Sequence, residues 1–369
     1  MKSMKKMVLV GLVLLASVMV LVGCKMEAEP EVKVPKVYEF TTEPQILTNY
    51  ESPNGTGDEY IYVAFGDWPQ TIKASEVTVD ESKSKQMGMF TYYLGSDGNC
   101  YVKHNDDYYK VEPIVWRVLT ENYLVPDENG QPVESGNSLL LAEKILTGGI
   151  PYYVDRATRT ITGAGTKKEE PNTVYANNYK YSTIRAWLNG LDVVKSDSEN
   201  ENDSTYKDKG FLQTAFTEGA QQLIESTKVD NSARSTNPNS NASQWNSGNN
   251  PYACTNTSDK IFLLSEQEAT TAGYGFAEYN KFGEGNTRIR VTTDYAQATG
   301  AYQDSTAGYG GWWWLRSPDY YYVDYARVID YEGYASSDYS VDGSALNFDG
   351  VRTMEVGVVP ALSISMNGN

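Results

Sequence analysis

The chain has 369 residues, and 48 acidic against 31 basic side chains leave a formal charge of −17. That balance excludes nucleic acid as a partner, because phosphate backbones demand clustered Lys and Arg. It also argues against docking on anionic lipid through the protein surface.

Lys2, Lys5 and Lys6 precede the apolar run Met7 to Val22, which ends at Leu21-Val22-Gly23-Cys24. A basic flank, a short apolar stretch and a small residue before the cut define a secretory signal over residues 1–23. A cysteine directly after the small residue resembles a bacterial lipobox, which implies cleavage before Cys24 and lipidation of its thiol. Acyl chains bury about 0.8 kcal/mol per methylene, so several would anchor the protein in a membrane. The expected location is the outer membrane, facing outward. Loss of the three signal lysines takes the charge from −17 to −20. The two remaining cysteines, Cys100 and Cys254, are equally compatible with one disulfide and with two free thiols.

Residues 24–57, rich in Glu, Pro, Lys and Thr, read as an extended tether. One domain is expected over 58–369. Alternation over Glu59 to Gly66 predicts a strand, broken by Asp67-Trp68-Pro69-Gln70. A hairpin follows, Ile114 to Leu119 against Ser138 to Ala142, joined through turn residues from Pro126 to Gly136. Ser182 caps a short helix carrying Ile184, Trp187 and Leu188, with Asn189-Gly190 as its stop. Thr217 to Glu225 places Ala220, Leu223 and Ile224 on one helical face. Ser265-Glu266-Gln267-Glu268 has capping-box spacing after the strand Ile261 to Leu264. Lys195 to Lys209 and Asn231 to Asn250 read as polar loops. Long loops, few short helices and scattered strands predict an irregular α+β fold.

The C-terminal region, about 312–364, lies between two apolar clamps, Gly310 to Pro318 and Gly357 to Ile364. Alternation in Ala326 with Val328, in Val341 with Gly343 and Ala345, and from Val356 to Ile364 predicts strands with one face in the core. At least one indole of Trp312 to Trp314 is expected there too. Of the 31 residues from Asp319 to Asp349, seven are Tyr and six are Asp, and Lys, Gln, Met, Trp, His and Pro are absent. Tyr supplies broad amphipathic contact area at small entropic cost, and Ser and Asn supply adaptable hydrogen bonds. The candidate ligand-binding residues are therefore Asp319, Tyr320, Tyr321, Tyr322, Asp324, Tyr325, Tyr331, Tyr334, Ser336, Ser337, Asp338, Tyr339, Ser340, Asp342, Ser344, Asn347, Phe348 and Asp349.

Five separated segments resemble one family: Phe65 to Gln70, Pro113 to Leu119, Ile261 to Ser265, Trp313 to Pro318 and Gly357 to Leu362. They are similar to bacterial surface proteins with a C-type-lectin-like domain of the formylglycine-generating-enzyme type. Among these, the chain resembles the variable lipoproteins of treponemes, targets of diversity-generating retroelements. The resemblance implies that error-prone copying at adenines rewrites the 3′ end of the gene. Asn codons so mutated yield Tyr, Asp, Ser, Asn, Phe, Val, Ala or Gly, and Asp319 to Asp349 fits that filter apart from Arg327, Ile329, Glu332 and Leu346. Relatives commonly carry Arg where this chain has Val359. The implied function is non-catalytic binding of variable protein or glycan ligands at the cell exterior, by a monomer without cofactor or metal.

Two alternatives remain. A formylglycine-generating-type enzyme would need paired cysteines, and the last 115 residues contain none. The only histidine, His104, stands in Lys103-His104-Asn105-Asp106-Asp107, which reads as a solvated loop rather than part of a catalytic triad. A calcium-dependent lectin is suggested by Glu170-Pro171-Asn172, but the accompanying Trp-Asn-Asp is missing and no EF-hand spacing occurs.

Overall fold

The computed structural model describes residues 39–55, 60–154, 157–198, 205–237, 250–276, 287–340 and 355–366; of 336–340 only the backbone is described. The signal run, Cys24 and the strand expected around Val341 to Ala345 lie outside the described residues. In chain order the strands are β1 (Gln45–Leu47), β2 (Tyr62–Ile72), β3 (Val79–Met87), β4 (Phe90–Gly95), β5 (Cys100–His104) and β6 (Asp107–Thr120). A small hairpin, β7 (Leu124–Pro126) and β8 (Pro132–Glu134), leads to β9 (Ser138–Ala142). Two minor pairs follow, β10 (Arg159–Thr160) with β11 (Thr173–Val174), and β12 (Thr227–Val229) with β13 (Thr257–Asp259). Last come β14 (Ile261–Phe262), β15 (Trp313–Pro318), β16 (Tyr325–Ile329), β17 (Ala335–Ser340) and β18 (Ala361–Ile364). The helices are short: α1 (Thr183–Asn189), α2 (Phe211–Ala215), α3 (Glu218–Leu223), α4 (Glu266–Ala269) and α5 (Asp294–Ala298). The architecture is thus mixed, mostly strands with few short helices, and among the described residues no barrel closes.

The main sheet runs β14-β18-β9-β6-β5-β4-β3, with β2 on β6 and β1 on β2. The expected hairpin is present, with Trp116 opposite Ala142 and Val118 opposite Leu140. In the main sheet, β1, β3, β4 and β5 escaped the sequence reading. β3 is an edge strand of mostly exposed polar residues, and a charged edge discourages further pairing without leaving an apolar pattern. β4 pairs with β3, and β5 with β4, in a meander.

The break expected at Asp67 does not occur. β2 continues through Asp67-Trp68-Pro69 with register shifts against β6 on both sides of that tripeptide. Gly66, at φ +70°, provides the left-handed residue that such a bulge uses. A Cβ there would lie 2.4 Å from the Phe216 ring. The tail differs from expectation as well. Val356, Val358, Leu362 and Ile364 are buried, but so are Val359, Ala361 and Ser363. β18 is paired at one edge with β9 and at the other with β14, and both of its faces are buried.

One cluster of buried side chains joins the sheet to all five helices and to β15 and β16. Trp68 is central to it, 4.8 Å from the Phe211 ring, 5.0 Å from Phe90 and 6.0 Å from Trp187. α1 is capped as expected: Ser182 Oγ accepts from Arg185 N at 3.2 Å, and Gly190 ends the helix in the left-handed region. The capping box at α4 closes in both directions. Of the α3 face, Ala220 and Ile224 are buried while Leu223 is exposed. Cys100 and Cys254 are both buried and free, and burial pushes the Cys100 thiol up to about 12 and the Cys254 thiol up to about 11.

Residues 39–55, expected as the end of the tether, belong to the domain instead. β1 pairs with β2, and Thr41 donates from N and Oγ1 to the buried Asp67 carboxylate at 2.7 and 3.1 Å. Asn54 donates to the Glu143 carbonyl and carboxylate at 2.7 and 2.9 Å and accepts from Val291 N at 2.9 Å. Polar side chains spaced without apolar periodicity look like linker; here they satisfy buried backbone groups of distant strands.

Candidate ligand-binding face

β15, β16 and β17 form a separate three-stranded antiparallel sheet, with Trp313 opposite Ile329, Trp314 opposite Val328, and Val328 opposite Ser336. Trp313, Trp314, Leu315, Ala326, Val328 and Ile329 are all buried. Both buried indoles also donate hydrogen bonds, Trp313 to the Arg288 carbonyl at 3.2 Å and Trp314 to the Ile150 carbonyl at 3.3 Å.

Beneath the sheet lies a charged lattice supplied by α4. Arg316 projects from β15 and makes a bidentate pair with Glu268, Nη1 to Oε2 at 2.5 Å and Nη2 to Oε1 at 3.0 Å. Tyr123 donates to the same carboxylate at 2.5 Å. Burial alone would lower the Arg316 pKa; the Glu268 carboxylate reverses this and holds it above the usual arginine range. Arg327 of β16 donates to Glu266 Oε1 at 2.8 Å and to the Ala335 carbonyl at 3.3 Å, with Asp319 at 3.9 Å. Burial raises the Glu266 carboxyl, against the opposing pull of Arg327.

The turn between β15 and β16 is fixed through main-chain groups. Asp319 Oδ1 accepts from the backbone N of Tyr321 and of Tyr322, each at 2.8 Å. Asn177 Nδ2 donates to the carbonyls of Tyr322 and Tyr325 at 2.9 and 3.1 Å, and Asn250 holds the Pro318 carbonyl at 3.0 Å. The following turn repeats the device: Asp330 Oδ1 accepts from Glu332 N and Tyr334 N at 3.0 and 2.7 Å.

The structure distributes the candidate residues unevenly. Tyr321 and Tyr322 project outward at 59% and 58% exposure, more than any other described aromatic side chain. Tyr320, Asp324, Tyr325 and Tyr334 are half-buried. Asp319 is only 3% exposed; it was expected on the open face and instead builds the turn, since its carboxylate reaches its own backbone. Tyr331 leans on the rings of Trp312, Tyr309 and Tyr302 at 5.8, 5.7 and 6.0 Å, which ties it to the scaffold. Ser336, Ser337, Asp338, Tyr339 and Ser340 lie along β17, where the backbone pairing of Tyr339 with Ala326 is defined. Asp342, Ser344, Asn347, Phe348 and Asp349 lie outside the described residues. Asn177, Asn250 and Arg327 support the face but were missed: single polar residues in polar surroundings carry no local signal.

Elsewhere, His104 is not in a solvated loop. It ends β5, half-buried, with its ring 5.8 Å from Tyr295, and it borders a cleft of about 350 Å³ walled by Trp68, Phe90, Trp187 and Tyr295. Asn172 of the Glu170-Pro171-Asn172 tripeptide accepts from Gly163 N at 2.9 Å, a local turn contact. Among the described residues no group of three His, Cys, Asp or Glu side chains is placed to hold a metal, and no helix is long and apolar enough to cross a membrane.

Residues 135–366 match a domain of unknown function (DUF6273), and the chain belongs to that family. The matched region starts just before β9 and takes in β14, β18 and the whole β15–β17 sheet. No curated protein matches the chain, and no solved structure does.

Proposed function

We propose that this protein is a lipid-anchored surface receptor whose β15–β17 face binds ligands at the cell exterior without catalysis. The observation that carries this reading is the separation of backbone from side chain at the first turn. Its main chain is held by Asp319, Asn177 and Asn250, while Tyr321 and Tyr322 stand exposed. Rings on a pre-ordered backbone cost little ordering entropy on binding and can be exchanged without disturbing the fold. Such a division suits the retroelement-diversified variable lipoprotein of the treponemal type, with a C-type-lectin-like domain, that the sequence resembles. The ligands proposed are proteins or glycans that differ between gene copies, and the anchor proposed is lipid on Cys24 in the outer membrane.

The test is exchange of residues 319–349 for the corresponding segment of a sister gene, followed by selection of ligands against each purified domain. Ligands should follow the exchanged segment while the melting temperature stays put. Retention of the original ligands after the exchange would place the site elsewhere. Sister copies also separate this reading from the lectin and enzyme alternatives. A diversified binder varies at Tyr, Asp and Ser positions while Trp312 to Pro318 stay fixed; a lectin or an enzyme keeps its site residues constant.

A further inference from the structure

On the face of the main sheet opposite Trp116, β6 carries Arg117, with Tyr62 and Leu141 as its cross-strand neighbours. Its side chain is fully buried, and none of its three guanidinium nitrogens has a hydrogen-bond partner among the described residues. The guanidinium carbon lies over the rings of Tyr60 and Phe276, 4.7 and 5.0 Å from their centroids. Ring faces attract the cation but cannot accept its five N–H donors, which all lie in the guanidinium plane. Beside it sit two more fully buried charges, Arg290 and Glu143. Glu143 Oε1 is taken by Ser52 and Asn54, whereas Glu143 Oε2 and Arg290 Nη2 stand 3.9 Å apart and neither is hydrogen-bonded. Among the described residues, two buried arginines against one buried carboxylate leave one positive charge uncompensated. Burial, reinforced by Arg290, pulls the Arg117 guanidinium down to about 10, so it keeps its proton at neutral pH. An unpaired charge in that position is strongly destabilising unless something neutralises it.

We propose that the Arg117–Arg290–Glu143 cluster is a binding site for one small inorganic anion of halide size, which accepts from the in-plane N–H groups of Arg117 and from Nη2 of Arg290. A monoatomic anion restores the charge balance, and complete burial of all three side chains disfavours anything as large as a phosphate ester. The cluster is roofed by Ser52 and Asn54 and shares no residue with the β15–β17 face. The bound ion would therefore act as a structural fastener between the N-terminal segment and the sheet.

The experiment is thermal melting of the full chain while sodium chloride replaces sodium gluconate at constant ionic strength. A rise of about 2–4 °C is expected at chloride a few times its Kd, growing with the logarithm of concentration beyond that. Arg117→Met should abolish the chloride dependence. Glu143→Gln, which removes the competing negative charge, should keep it and shift its onset to lower chloride. Bromide-soaked crystals should show anomalous density between Arg117 and Arg290. Identical melting in chloride and gluconate for both the wild type and Glu143→Gln would mean that water alone fills the cluster, and would overturn the proposal. So would an undiminished chloride response in Arg117→Met.

Discussion

Arg316 and Glu268 meet as a bidentate ion pair of 2.5 and 3.0 Å under the β15–β17 sheet, with the arginine buried and its remaining donors on the carbonyls of Leu263 and Asp230. Arg316 belongs to the apolar clamp and Glu268 to the capping box of α4, so one carboxylate closes a helix and holds the candidate binding sheet. Removing one partner leaves a buried charge unpaired. Arg316→Ala or Glu268→Ala should cost about 3–5 kcal/mol in denaturant unfolding, whereas Arg316→Met with Glu268→Leu should cost less than either single change. A double variant as unstable as the sum of the singles would show that the pair does not act as a unit.

The tyrosines should divide by role. Tyr321→Ala and Tyr322→Ala should shift stability by roughly 0.5 kcal/mol or less, as at ordinary surface sites, yet weaken a selected ligand by about 2 kcal/mol or more. Trp314→Ala, deep in the core, should lose about 3–5 kcal/mol of stability, and Leu362→Ala about 2–5 kcal/mol. Tyr331→Ala should fall between, because its ring packs on Trp312. Large losses of melting temperature in the Tyr321 and Tyr322 variants would make those rings structural.

Glu266 gives a pH signature. Burial raises its folded pKa above 4.5, so the folded state holds the proton more tightly than the unfolded chain does. Its contribution is therefore most favourable below pH 4.5 and declines as pH rises toward the folded pKa. The stability of wild type minus that of Glu266→Gln, measured by urea titration, should fall from pH 4.5 upward and then level off. A difference that grows with pH across that window would contradict the assignment.

The N-terminal boundary can be tested at Asn54. Its side chain makes three hydrogen bonds to Glu143 and Val291, so Asn54→Ala should destabilise the domain by about 1–3 kcal/mol. A free tether would show no change.

For the anchor, labelled palmitate should be incorporated by the intact chain, and Cys24→Ala should release it into the soluble fraction. Membrane retention of that variant, signal run intact, would remove the lipoprotein reading.

The sequence alone determined whatever rests on neighbours a few residues apart. The Ser182 and Ser265 caps, the Gly190 stop and the β6–β9 hairpin all follow from backbone groups satisfied locally and from apolar residues at a fixed period. The Tyr-rich composition of 319–349 is equally local. Only the tertiary structure decided which polar residues are interior. Asp319 and Asp330 look like contact residues in composition, yet each carboxylate is spent on its own turn. Asn54, Asn177 and Asn250 look like linker and loop, but bond backbone groups 68 to 237 positions away. Val359 and Ser363 sit at positions that alternation assigns to solvent, yet both are buried. Arg117 reads as one more charge on a strand until Tyr60 and Phe276 close over it. Periodicity reports which side of an element is apolar; whether the other side meets water depends on what the rest of the chain lays across it.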